Sequence, residues 1–130
     1  MTKYKFTGEY EIRASVKMLF PYLSTPAGLG DWFADRVSIQ NHIFTFEWDN
    51  EEHRAKIISQ RANKYVKFEF LPENSEEEAD PNYIEFRLDA NEITESSFLK
   101  VSDYSSANNE EDLQNLWEGL IAALKEKVGG

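Results

Sequence analysis

The 130 residues include no cysteine, which excludes a disulfide framework, a thiolate nucleophile and a cysteine-built zinc site. Only two histidines occur, His42 and His53. Neither has a second histidine or a carboxylate at recognised ligand spacing, so both read as surface residues and no metal is expected. Glycine is sparse, with six residues. Gly28-Leu29-Gly30 lacks the third glycine and the preceding strand of a dinucleotide fingerprint, and neither a phosphate loop nor a Gly-x-Ser-x-Gly elbow occurs. No cofactor is expected, and no acid/base or nucleophile constellation stands out, which favours a binding protein over an enzyme. No apolar run approaches the roughly 18 residues of a membrane span, and Met-Thr-Lys-Tyr-Lys-Phe at the start is no signal peptide. A soluble, unprocessed, cytoplasmic protein without integral membrane association is the expectation. Positive charge is also scarce: 14 basic residues against 24 acidic ones give a net charge of -10. Such a chain repels phosphate backbones, so nucleic acid is not an expected partner.

What is plentiful is aromatic side chain, at 14%. The length fits one domain, 1–130, that buries roughly two-thirds of its unfolded surface. From Tyr4 to Ile12 apolar and polar residues alternate with the period of a half-buried strand, with Gly8 at a potential bulge. Ser15 can cap a short helix carrying Val16, Leu19, Phe20 and Leu23, interrupted by Pro21, and Ala27 to Ala34 reads as a second short helix. Six strand-like runs follow: 36–40, 43–48, 52–60, 65–71, 83–88 and 94–103. Short turns between them predict an antiparallel meander. The long connection from Pro72 to Asn82 is acidic and predicts a solvated, mobile loop. Leu113, Leu116, Trp117, Leu120, Leu124 and Val128 repeat at helical spacing, predicting a C-terminal helix from Glu110 to Val128 with Asn109 as its cap. Period-two phasing makes one face of the sheet so apolar that it needs this helix as a cover. The fold class is therefore α+β: a seven-stranded curved antiparallel sheet, two short helices and a long last helix.

The order of elements, together with Ala14-Ser15, Leu19-Phe20, Leu23-Ser24-Thr25-Pro26, Trp32-Phe33 and Leu116-Trp117-Glu118-Gly119-Leu120, resembles the START-like, or SRPBCC, superfamily. Within it the chain is most similar to the AHSA-type branch, named for activators of a heat-shock chaperone ATPase. The resemblance implies a helix-grip fold, like that of the birch-pollen allergens, with a cavity between sheet and last helix that opens near the short helices. Members bind lipids, sterols, polyketides or plant hormones there, and some catalyse cyclisation or ring chemistry. The expected function is binding of a small hydrophobic or amphipathic, lipid-like molecule. The alternatives are a protein-interaction module serving a chaperone, and a cyclase or ring-modifying enzyme.

Candidate cavity-lining residues are Trp32 and Phe33 at the expected mouth, and Phe44, Phe46, Trp48, Phe68, Phe70, Phe86, Trp117 and Ile121 on the sheet and helix. Each ring has core packing as its competing reading. Polar residues phased inward must find a partner. Ser59 and Asp103 lie at strand ends and read as solvated, leaving Ser97 as the polar candidate.

Overall fold

The computed structural model describes residues 3–106 and 110–129, the side chains of Glu76, Glu77 and Glu110 apart. The elements run β1 (Tyr4–Ile12), α1 (Val16–Ser24), α2 (Pro26–Gly30), β2 (Arg36–Gln40), β3 (Ile43–Trp48), β4 (Glu51–Arg61), β5 (Tyr65–Phe70), α3 (Ser75–Ala79), β6 (Tyr83–Asn91), β7 (Ser96–Ser105) and α4 (Glu110–Val128). The strands form one antiparallel sheet in the order β1-β7-β6-β5-β4-β3-β2, so the meander of six is closed at one edge by the first strand.

Local chemistry accounts for most boundaries. The Ser15 side chain accepts from the Met18 amide and opens α1, and Thr25 Oγ1 accepts from the Gly28 amide and opens α2. α2 is shorter than the predicted Ala27 to Ala34. The Leu29 carbonyl accepts from the amides of Trp32, Phe33 and Ala34, so the chain curls around one oxygen and leaves the helix. That curl turns Trp32 and Phe33 into the interior, where both are buried. β7 starts two residues late because Glu95 has a φ of 55° and belongs to the turn. The acidic connection predicted as a loop contains α3, for which the run Ser75-Glu-Glu-Glu-Ala79 supplies good helix formers, and the Glu78 amide donates to the Asn74 carbonyl. It is also moored: Tyr104 Oη donates to Asp80 Oδ2 at 2.6 Å, and the Lys3 ammonium donates to the Asp80 carbonyl. The predicted cap Asn109 lies outside the described residues.

Gly8 stays in register opposite Val101, without a bulge. The irregularity lies in β4, where Ile57 pairs with Phe68 and Ser59 with Lys67, leaving Ile58 extra. This resets the phase, putting Ser59 opposite an outward residue and exposing it.

The β2–β3 and β3–β4 turns each have two residues at positive φ: Asn41 and His42 (52° and 66°), then Asp49 and Asn50 (50° and 66°). This is the geometry of two-residue primed turns, in which glycine is the favoured second residue. His42→Gly is accordingly expected to add about 0.5–1 kcal/mol by removing left-handed strain, seen as a higher midpoint in urea unfolding with unchanged slope.

Inward residues of the sheet meet a narrow stripe of α4, on which Leu113, Trp117, Ile121 and Leu124 are buried. Leu116, expected in that stripe, is 53% exposed, because the buried positions follow the 113, 117, 121, 124 spacing and leave 116 at its rim. Trp117 sits at the centre of the ring cluster, stacked on Phe33 at 5.8 Å and edge-on to Phe86 at 6.0 Å.

Candidate functional site

α4 does not seal the sheet evenly. Toward its C-terminal end Ile121 and Leu124 are fully packed, whereas Leu116, Trp117 and Leu120 around its middle border a cleft of about 540 Å³. Facing them are Phe33, Trp48, Phe70, Leu71 and Ile84. The remaining wall is polar: Asp49, His53 and Arg54 from the β3–β4 hairpin, Glu73 and Asn82 flanking α3, and Asp103 to Ser106 at the end of β7.

The cleft lies at the end of the sheet away from α1. α1 follows Ile12, which pairs with Ser97 at the start of β7, whereas the cleft takes the end of that strand. The cleft therefore opens at the strand ends opposite α1, among the β3–β4 turn, the β5–β6 connection and α4, with Phe33, just after α2, on its wall. Leu19 and Leu23 of α1 and Leu29 of α2 are fully buried in the core.

Of the eleven predicted lining residues, Phe33, Trp48, Phe70 and Trp117 stand on the cleft wall. Trp32, Phe44, Phe46, Phe68, Phe86 and Ile121 lie in the core beneath it. Their rings pack against one another: Phe44 and Phe68 lie edge-on at 5.2 Å, Phe46 and Phe68 at 5.5 Å, and Trp32 and Phe86 tilted at 5.8 Å. Ser97 is fully buried and donates to the Ala14 carbonyl at 2.6 Å, tying the start of β7 to the chain leaving β1. All three indole N–H groups are satisfied. Trp32 donates to the Tyr22 carbonyl at 2.8 Å, Trp48 to the Phe33 carbonyl at 2.6 Å, and Trp117 to Asp103 Oδ2 at 2.9 Å.

Asp103 is the main departure from expectation. Its position two residues beyond Val101 reads as a solvated strand end, yet only 7% of it is exposed, because β7 continues to Ser105 and α4 passes over it. Burial pushes its carboxyl above the ordinary range, and hydrogen bonds from Trp117 and Ser105 pull it partly back. Asn82 escaped sequence reasoning because it closes a polar loop. The signal was there in the strand phase: stepping back by two from Leu88, Phe86 and Ile84 gives 82. Its Oδ1 is buried and lacks a hydrogen-bond partner among the described residues. His53 likewise joins the wall, its ring 5.5 Å from that of Trp48 and its Nε2 3.9 Å from Glu51 Oε2. At the rim the Tyr104 hydroxyl is held up chiefly by its bond to Asp80.

No set of three or more metal-ligating side chains converges among the described residues, and none of their helices is long and apolar enough to cross a membrane.

Comparison with known proteins agrees with this architecture. The profile of a START-like superfamily domain matches residues 1–130. No curated protein sequence matches the chain. Among solved structures, the Aha1 dimer from Colwellia psychrerythraea is similar at 18% identity and a TM-score of 0.78, covering 96% of both chains. Protein MLL2253 from Mesorhizobium loti is similar at 14% identity and a TM-score of 0.75, covering 95% of both. Protein CV1439 from Chromobacterium violaceum shares 10% identity at a TM-score of 0.72 and 97% coverage of both. At these identities the likeness is one of fold.

Proposed function

Because the chain belongs to the START-like superfamily, we propose that it binds a small hydrophobic or amphipathic molecule in the cleft between the sheet and the middle of α4. The observation that carries this reading is the cleft itself. About 540 Å³ falls within the range of small-molecule sites, and its walls combine aromatic and aliphatic surface with a few placed polar groups. A sheet and helix that needed only to seal a core would leave no such space beside four tryptophan and phenylalanine rings. Membership in a superfamily that binds hydrophobic ligands supports the same conclusion.

Binding suits the polar groups better than catalysis does. A ring-modifying enzyme needs a titratable group free to exchange protons with its substrate. Asp103 has a displaced carboxyl, but it is engaged by Trp117 and Ser105, which fits holding a guest more than relaying a proton.

Native mass spectrometry of the purified protein, and a lipid or sterol titration followed by NMR, test the reading. Retained ligand, or shifts confined to Trp48, Phe70, Trp117 and their neighbours, are expected. Leu120→Trp places a bulky indole in the cleft from a half-buried helix position, and is expected to weaken binding about tenfold or more with the fold intact. No retained ligand together with an absence of cleft-localised shifts would sink the proposal.

A further inference from the structure

The chemistry of the cleft wall specifies the head group of its guest, given that the cleft is a binding site. Asp103 is a buried carboxylate whose hydrogen-bond donors, Trp117 and Ser105, are both neutral, and it takes part in no ion pair among the described residues. A buried carboxylate is ordinarily stabilised by a cation, and this one has none. Asn82 adds a second acceptor, Oδ1, buried and without a partner among the described residues. The two share a face. Asp103 pairs with Ile84, so Asn82 is its diagonal neighbour across β6 and β7, at about 7–8 Å. That spacing separates the backbones, and side chains leaning toward each other from it can bring their oxygens to the roughly 5 Å that one ammonium spans with two N–H bonds of about 2.9 Å. The rings of Phe33, Trp48 and Trp117 line the same cleft, and aromatic faces attract a cation. The charged wall residues are three carboxylates, Asp49, Glu73 and Asp103, against one guanidinium, Arg54, and the whole chain carries -10.

We propose that the cleft takes an amphipathic organic amine, a primary or secondary ammonium on an apolar body, with its N–H groups on the Asp103 carboxylate and Asn82 Oδ1 and its apolar part against the aromatic wall. The ligand supplies the counter-charge that the protein withholds from Asp103, and the donor that Asn82 lacks. An anionic amphiphile would meet two acceptors and a negative field, which disfavours it.

The test uses three soluble probes of one shape: 4-phenylbutylamine, 4-phenylbutanol and 4-phenylbutanoate. Each is titrated into the intact protein by calorimetry, with indole and amide shifts followed by NMR, at low salt and again at high salt to screen the net charge of the chain. The amine is expected to bind about tenfold or more tighter than the carboxylate, with the alcohol between them, and to keep that order in high salt. Asp103→Asn preserves shape and removes the charge. It is expected to erase most of the preference for amine over alcohol while leaving alcohol binding in place. Asn82→Ala is expected to weaken amine and alcohol alike, and serves as the test should Asp103→Asn fail to fold. Equal binding of all three probes, tightest binding of the carboxylate, or an amine preference untouched by both variants overturns this inference while leaving the cleft as a binding site. Absence of cleft shifts with every probe overturns both.

Discussion

Trp117→Ala is expected to lose about 3–5 kcal/mol, enough to leave a marginally stable domain largely unfolded at physiological temperature. The indole is 1% exposed and touches Phe33, Phe86 and Trp32, so its removal leaves a hole where helix meets sheet. It also takes away the Nε1–H that holds Asp103 at 2.9 Å. Trp117→Phe separates these effects, since the smaller ring keeps much of the packing and loses the donor. The pH dependence of that variant has a definite sign. Burial already holds the Asp103 carboxyl above its usual range, so folding strengthens its hold on a proton, and this contribution to stability is present in acid and falls as pH rises through the folded pKa. Losing a donor that stabilised the anion raises the carboxyl further. The deficit of Trp117→Phe relative to wild type should therefore be widest near neutrality and narrow in acid, read from urea midpoints across pH. A deficit that is constant with pH would mean that packing alone is involved.

The second large effect is expected from Gly28→Ala. A Cβ there would lie 2.2 Å from the Pro21 carbonyl oxygen and 2.6 Å from Tyr22 Cα, so the obstruction is backbone and cannot rotate away. α1 and α2 must separate, which also strains the bond from the Trp32 indole to the Tyr22 carbonyl. A loss of about 1–3 kcal/mol or more is expected from forcing atoms into such a contact. Gly30→Ala is the control, because the nearest atom to its Cβ, the Val37 nitrogen, is 3.9 Å away. Thermal unfolding should separate the two variants by several degrees, with Gly30→Ala close to wild type. Equal midpoints would show that the two helices are not held together at Gly28.

These two positions also show what a single sequence discloses. Trp117 is legible: it falls on the stripe of a long helix with clear end signals, and an apolar sheet face requires a cover. The alternation Phe44-Phe46-Trp48 and Val66-Phe68-Phe70 is equally plain, and the strands formed where it predicts them. The pairing of β1 with β7 has no local signal, because nothing near Phe6 indicates that Asp103 will lie opposite. Which rings face the cleft was hidden for a different reason. Lining and core residues both point inward with the same period, and only their distance from the uncovered strand ends separates Phe70 from Phe68. The setting of an inward polar residue depends on strand length: β7 runs to Ser105, two residues beyond the predicted end, which makes Asp103 interior instead of terminal. Ser59 lost its phase to a bulge at Ile58 that no turn residue announces.

The neighbouring positions of β1 and β7 also govern how the protein comes to be made. β1 leaves the ribosome first, but its partner begins at Ser96, more than eighty residues later. At about 5–20 residues per second, that strand waits on the order of 10 s with its backbone groups unpaired. Closing so long a loop is entropically costly, so the last ladder and the docking of α4 should form late and together. A nascent chain stalled before Ser96 would hold an apolar sheet face without its cover, a species whose safety depends on whatever binds it until synthesis resumes.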